Sequence, residues 1–443
     1  MGNSDLTIYR NPNLIISRVD DDFYAVMNPF INNGIKVINK AQKTFFDSVN
    51  GKDTIHTIAN KMGCSEKDLL ILMDILKEKQ FVSYDNSFQQ PRWTKNINSI
   101  NLWIQTTNEC NLRCPYCYIH TLGEKDFISE NVIDHFIDKL VETAKKWNLK
   151  FINLRFAGGE PFLKISLWRF KIPEMRQKLY DIDCKLNVVI LTNLVALNDE
   201  LIEIIKINSI RIAVSMDGVS DYHNKTRHFK NGKGSFDIVN NNIDKLLKSN
   251  ISPTIMTVVS NNNIDGLEEF SKYIIEKNLK HRFSFVSGED VDILRMICEL
   301  KNCYEQYEKA IEKGYEFSRL HKLCDLKFDT LSFQTCSNGY NGGAINTDGG
   351  VYFCQRHFGI TQPLGTIYEE DDLLSIIQRK TFYGTVSSDC ESCVYQYICT
   401  SGCPIERVDK KDPHCLVYKE LIPIILRLRG KERILKIKQS IAD

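Results

Sequence analysis

No charge of either sign dominates these 443 residues; the formal net charge is +1, so no overall field gathers nucleic acid or an anionic membrane. No apolar run has signal-peptide or transmembrane length, and the opening stretch MGNSDLTIYRNPN is polar. Leu6 stands where a myristoylation signal carries Ser or Thr, which argues against a lipid anchor. No tract repeats and none is of low complexity. These absences leave a cytoplasmic protein with no nucleic-acid and no membrane partner as the expectation.

Cysteine, by contrast, is plentiful, with fifteen in the chain. The cytosol keeps thiols reduced, so a disulfide framework is not expected. Cys64, Cys184, Cys298, Cys303 and Cys324 are scattered and read as small buried apolar residues. Three others fall within TNECNLRCPYCYIH and seven lie between 336 and 415, and these two clusters are metal-site candidates.

Hydrophobic patterning divides the chain. In residues 1–90, FYAVMNPF and GIKVIN read as a hairpin around Asn32, Asn33 and Gly34, and three short amphipathic helices follow, a winged-helix layout. In 91–290 the apolar runs INLWIQT, FINLRFA, LNVVILT, RIAVSM, SPTIMTVV and HRFSFV alternate with helical patterns. Six βα units predict an α/β fold, a partial (β/α)6 barrel with its chemistry at the C-terminal strand ends. Residues 291–330 read as a helical connector. Residues 331–418 are cysteine-rich with little periodicity, a fold built around metal, and 419–443 read as a C-terminal helix.

The triplet Cys110, Cys114 and Cys117 follows the first barrel strand in a C-x3-C-x2-C pattern, with the aromatic Tyr118 next. Thiolates suit soft iron or zinc. A structural zinc or a closed [4Fe–4S] cluster takes four ligands, and no fourth Cys sits at finger spacing, though His120 is near. Three thiolates leave one iron open to bind a substrate or cofactor directly. The pattern resembles the signature of the radical S-adenosylmethionine (SAM) enzymes. In that family the open iron chelates SAM, and an electron from the cluster cleaves it to a 5′-deoxyadenosyl radical.

Further motifs strengthen the resemblance. FAGGEPFL, after the second strand, is similar to the family's GGEP motif, with Gly158, Gly159 and Glu160. LTNLVAL matches the family's Thr-Asn-Gly at Thr192 and Asn193 but puts Leu194 in place of the glycine. Ser215 and Arg227, after the fourth strand, stand where relatives hold the ribose or carboxylate of SAM. The resemblance thus implies a SAM site formed by Tyr118, Gly158, Gly159, Glu160, Thr192, Asn193, Ser215 and Arg227.

Cys336, Cys354, Cys390, Cys393, Cys399, Cys403 and Cys415 resemble the SPASM extension of peptide-modifying radical SAM enzymes. A pair of structural zinc sites is the alternative, since CESC followed by CTSGC is ribbon-like. The resemblance implies two auxiliary [4Fe–4S] clusters, three in all. Cys390, Cys393, Cys399 and Cys415 would close the outer one. Cys336, Cys354 and Cys403 would hold the inner one, with Cys324 as a candidate fourth ligand or with one iron open. Gln355 follows Cys354 where sulfatase-maturing relatives carry an aspartate base, so that activity is disfavoured unless Arg356 or His357 is recruited.

Fused to such an enzyme, the front module resembles the leader-recognition element of enzymes that mature ribosomally made peptides. Its candidate recognition helix SEKDLLILMDILKEK carries acids as well as lysines, so it lacks a phosphate-binding stripe. The expected activity is a SAM-dependent, iron–sulfur maturase that abstracts hydrogen from a precursor peptide and installs a thioether or carbon–carbon crosslink. Electrons would come from a flavodoxin or ferredoxin. The rivals are sulfatase-maturase-like oxidation, epimerisation or decarboxylation, and, in another class, a leader-binding scaffold or DNA-binding protein with structural metal.

Overall fold

The computed structural model describes residues 5–31, 33–122, 126–381, 388–407 and 411–442; Asn32, in the expected hairpin turn, lies outside them. Strand β1 (Tyr9–Arg10) precedes a three-stranded antiparallel sheet of β2 (Ile15–Arg18), β3 (Phe23–Met27) and β4 (Ile35–Asn39). Helices α1 (Lys40–Ser48), α2 (Ile55–Met62) and α3 (Glu66–Glu78) follow, and β5 (Val82–Ser83) returns to pair with β1. The expected hairpin is therefore a three-strand meander; β2 is only four residues long, too short for its alternation to stand out. Asn39 caps α1 through a reciprocal pair with Gln42, which fixes where strand gives way to helix.

Strand alternation sends the sheet's two faces to different partners. Val26 and Ile38 join Phe45, Phe46, Leu69 and Met73 under the three helices. Ala25, Met27 and Ile35 instead pack in a second core with the C-terminal helix Cys415–Ala442 and the helix Ile293–Glu312. A Cβ on Gly430 would stand 2.8 Å from the Ala25 Cβ, so a glycine there lets the C-terminal helix lie against β3. Arg433 Nη1 donates to the Ile35 carbonyl at 3.1 Å and Ser17 Oγ to that of Pro423 at 3.0 Å.

The largest unit is a ten-stranded sheet. Its parallel centre runs in sequence order through β6 (Ser99–Thr107), β7 (Phe151–Gly158), β8 (Lys185–Thr192), β9 (Arg211–Ser215), β10 (Thr254–Val259) and β11 (Lys280–Phe285). These are the six expected apolar runs. Their outward residues, such as Ile152, Leu154 and Phe156, are fully buried with Ile133, Phe136 and Leu140 of helix Glu130–Trp147. Each such side chain contributes about 1.5–3 kcal/mol of burial.

The cysteine-rich segment, expected to be irregular, contributes strands of its own to the sheet. Strand β12 (His321–Leu323) extends the sheet beyond β11. On the other side β13 (Gly342–Ile345) pairs parallel to β6, and β14 (Gly350–Tyr352) and β15 (Gly365–Thr366) follow antiparallel. Strands of two to four residues among glycines are too short to show a period, which is why the sequence reads as irregular there. Of the scattered cysteines, Cys184 and Cys303 are buried as expected, whereas Cys64 and Cys298 are exposed on helical surfaces and turns. Among the described residues no helix is long and apolar enough to cross a membrane.

Candidate functional site

The loop carrying Cys110, Cys114 and Cys117 leaves the C-terminal end of β6 and is braced on two sides. On one, Gly159 N donates to Thr107 O and Glu160 N to Glu109 O, each at 2.7 Å. A Cβ on Gly159 would fall 2.0 Å from the Glu109 carbonyl oxygen, and one on Gly158 2.3 Å from that of Thr107. Both glycines are required by this backbone contact. On the other side, Arg113 N donates to the His228 carbonyl at 2.8 Å, one residue beyond Arg227.

The three sulfurs lie within electrostatic reach of one another, and burial is the main cause that pushes Cys110 up to about 11 and Cys114 up to about 12. Left alone they stay protonated at neutral pH; as metal ligands they must give up their protons. Two donors point at them: Asn193 Nδ2 to Cys110 Sγ at 3.7 Å and Arg227 Nη1 to Cys114 Sγ at 3.9 Å. His120 does not join the thiols; its charged neighbours are Arg113 and Lys230, and it hydrogen-bonds to the Cys114 backbone.

Arg227 is buried and anchored by Asp217, which follows the end of β9. Its Nε donates to Asp217 Oδ2 at 2.8 Å; the Tyr116 hydroxyl donates to the same oxygen, and Val258 N to Oδ1 at 2.9 Å. Burial opposes the guanidinium's charge, but the Asp217 carboxylate outweighs it and holds the charged form. Tyr116 stacks its ring 5.6 Å from the Arg227 carbon, a cation–π contact. Behind them Ser235 Oγ donates to Arg227 O at 2.7 Å and meets His223 Nε2 at 2.9 Å. Burial drives His223 down to about 3, so it is neutral. Asp217, Tyr116, His223 and Ser235 escape the sequence reading, although the SMDG stretch at a strand end carries Asp217 beside the residues that were singled out.

Glu160 is fully buried and its carboxylate accepts three intrachain donors: Phe162 N at 3.0 Å, Thr192 Oγ1 at 2.7 Å and Asn193 N at 2.7 Å. Burial raises it to about 7 against those hydrogen bonds. It thereby ties the end of β7 to the end of β8 and sets the Asn193 amide against the cysteine loop. Leu194 occupies a left-handed conformation, φ 63°, where the related motif has glycine. Its side chain is fully buried in the core of the parallel sheet. Leu194→Gly would relieve backbone strain of about 1 kcal/mol but forfeit a buried leucine worth about 2–5. A net loss of about 2 kcal/mol is expected, measurable as a lower denaturant midpoint. Ser215 ends β9, half-buried.

The seven later cysteines form two groups. Cys399 has Cys390, Cys393 and Cys415 as electrostatic neighbours; Cys354 has Cys336 and Cys403. Tyr118 is half-buried, with Cys117 and Cys354 as its sulfur neighbours. Cys324 accepts from the Tyr418 hydroxyl and faces Arg282, Asp325 and Asp412. Gln355 Oε1 accepts from Cys354 Sγ at 3.2 Å, and Arg356 is paired with Glu406. Burial, then Lys380 and Arg356, lowers His357. Among the described residues no three Cys, His, Asp or Glu side chains stand at chelating distance around one ion. Buried soft sulfurs, a guanidinium and an amide directed at them, and an adjoining buried acid are a donor set that fits an iron–sulfur cluster with a nucleotide cofactor beside it.

Comparison with known proteins agrees with this geometry. A family model described as the radical SAM superfamily matches residues 104–274. An uncharacterized protein of Methanocaldococcus jannaschii is 33% identical over 62% of this chain and 90% of its own length. The cysteine-type anaerobic sulfatase-maturating enzyme of Clostridium novyi is 26% identical over 69% of this chain and 88% of its own. The solved structure of native anSMEcpe with bound AdoMet has a TM-score of 0.64 at 21% identity, covering 75% of this chain and 99% of that one. Streptococcus suis SuiB bound to precursor peptide SuiA has a TM-score of 0.51 at 15% identity, covering 93% and 99%.

Proposed function

We propose that this chain, which belongs to the radical SAM superfamily, is a maturase that crosslinks a ribosomally made precursor peptide. The observation that supports the reading is that Tyr118 has both Cys117 of the first trio and Cys354 of the inner later group among its electrostatic neighbours. When bound, SAM and the cluster at Cys110, Cys114 and Cys117 supply a hydrogen-abstracting radical. Arg227, kept charged by Asp217, offsets negative charge at Cys114. Glu160 positions Thr192 and Asn193, and Asn193 holds Asn111 at 2.7 Å inside the cysteine loop. Cys336, Cys354 and Cys403 would bind an inner auxiliary cluster, and Cys390, Cys393, Cys399 and Cys415 an outer one through which a flavodoxin or ferredoxin exchanges electrons.

The front unit is read as a winged-helix module that binds the leader. Both faces of its β2–β3–β4 sheet are covered, which leaves the strand edges for an added strand. Ile71 and Ile75, four apart on α3, are exposed at 54% and 48% and suit apolar leader side chains better than phosphates. Leader binding raises the local concentration of the core peptide to the millimolar range.

Sulfatase maturation is the second reading, favoured by the clostridial relative. Gln355 opposes it, since an amide takes no proton, and Arg356 is committed to Glu406. Co-expression with small peptides encoded beside the gene separates the two. A precursor lighter by one pair of hydrogens per event, with fragment ions joined between two residues, is expected. A formylglycine product or an unchanged mass would overturn the crosslink.

A further inference from the structure

Strands β7 and β11 are four places apart in the sheet, so side chains from them meet only across the barrel interior. Arg155 of β7 does this. Its neighbours Leu154 and Phe156 are fully buried on the outer face, while Arg155 itself is solvent-open. Its electrostatic neighbours are Arg282 of β11, Asp325 and Cys336. Arg282 forms a fork with Asp325, Nη1 to Oδ1 and Nη2 to Oδ2 each at 2.9 Å, and its Nε is buried with no partner. Lys327 is half-buried and also faces Asp325 and Cys336.

Three cations therefore share one carboxylate. Among the described residues no side-chain hydrogen bond or ion pair of Arg155 or Lys327 is present, and both face the Arg282 cation. Three like charges grouped about one carboxylate repel one another, and a second anion among them would offset the excess. A planar guanidinium and a nearby ammonium are matched by a carboxylate.

The geometry points to a carboxylate subsite at Arg155 and Lys327, inside the barrel beside Cys336, that holds an acidic side chain or the C-terminal carboxylate of the peptide substrate. It rests on the maturase reading for the identity of the ligand as a peptide. Fixed there, the peptide would present its neighbouring residues between the two cysteine groups, so the subsite would select which residue reacts.

The test uses anaerobically reconstituted full-length protein and blocked amino acids: N-acetylglutamate α-amide for a side-chain carboxylate, N-acetylglycine for a chain end, and N-acetylglutamine α-amide as the neutral isostere. Calorimetric titration reports binding, and brief acetylation followed by peptide mass analysis reports the site. One or both carboxylates should slow Lys327 acetylation about threefold when present at about twice their Kd, and the neutral amide should not. The more protective carboxylate names the source. Arg155→Gln should abolish protection and Arg155→Lys retain part of it. Equal protection by the neutral amide, no protection by either acid, or protection by SAM alone would overturn the subsite. Reductive SAM cleavage on the same sample keeps the two proposals apart. Absence of 5′-deoxyadenosine would refute the maturase and leave the carboxylate result standing; normal cleavage without protection would refute the subsite alone.

Discussion

Asp217→Asn is expected to destabilise the protein by about 3–5 kcal/mol, because it leaves the buried Arg227 without its counter-charge. The amide keeps the shape of the acid but turns one acceptor into a donor, and three groups now donate to that carboxylate: Arg227, Tyr116 and Val258 N. Anaerobic denaturant titration measures the loss. Arg227→Met alone should cost a similar amount by stranding Asp217. The double variant should recover much of it, since neutral partners of similar volume remove both uncompensated charges. Stability and site chemistry should then part company: the double variant folds, yet lacks the guanidinium beside Cys114 and binds iron at the first trio less well. If it regained iron as well as stability, the pair would be a structural brace only.

The second large effect separates the three cysteine groups. Cys114→Ser, Cys399→Ser and Cys403→Ser should each remove about four of about twelve irons. Only Cys114→Ser should drop SAM cleavage to background. Cys399→Ser and Cys403→Ser should leave it measurable while suppressing the crosslinked product, because Cys399 stands among Cys390, Cys393 and Cys415 and Cys403 beside Cys336 and Cys354. Iron analysis with low-temperature electron paramagnetic resonance distinguishes the sets. A variant at Cys399 that emptied the first trio would contradict the grouping.

Much of this arrangement is legible in the chain. The six apolar runs are strands β6 to β11, and the cysteine loop, Gly158, Thr192 and Ser215 fall at the C-terminal ends of β6 to β9, because period and turn residues report strand limits directly. What the sequence hides is who faces whom. Arg227 looks like a surface residue until Asp217 and Tyr116 close over it, ten and more than a hundred positions away. Arg155 interrupts an apolar run, which shows only that it points inward; that it meets Arg282 and Asp325 depends on the curl of the sheet. Likewise β13 adds to β6 across more than two hundred residues through four pairings that carry no period of their own. Leu194 is instructive in the opposite sense: the departure from glycine is visible, while its reason, a fully buried side chain accepted at positive φ, is visible only in three dimensions.

The most direct test of the central claim is to purify the protein without air, reconstitute it with iron and sulfide, add SAM and dithionite, and quantify 5′-deoxyadenosine. The account predicts its formation in the wild type and none in Cys110→Ser, Cys114→Ser or Cys117→Ser. Iron bound at this trio with no 5′-deoxyadenosine, or undiminished 5′-deoxyadenosine in any of the three variants, would contradict it.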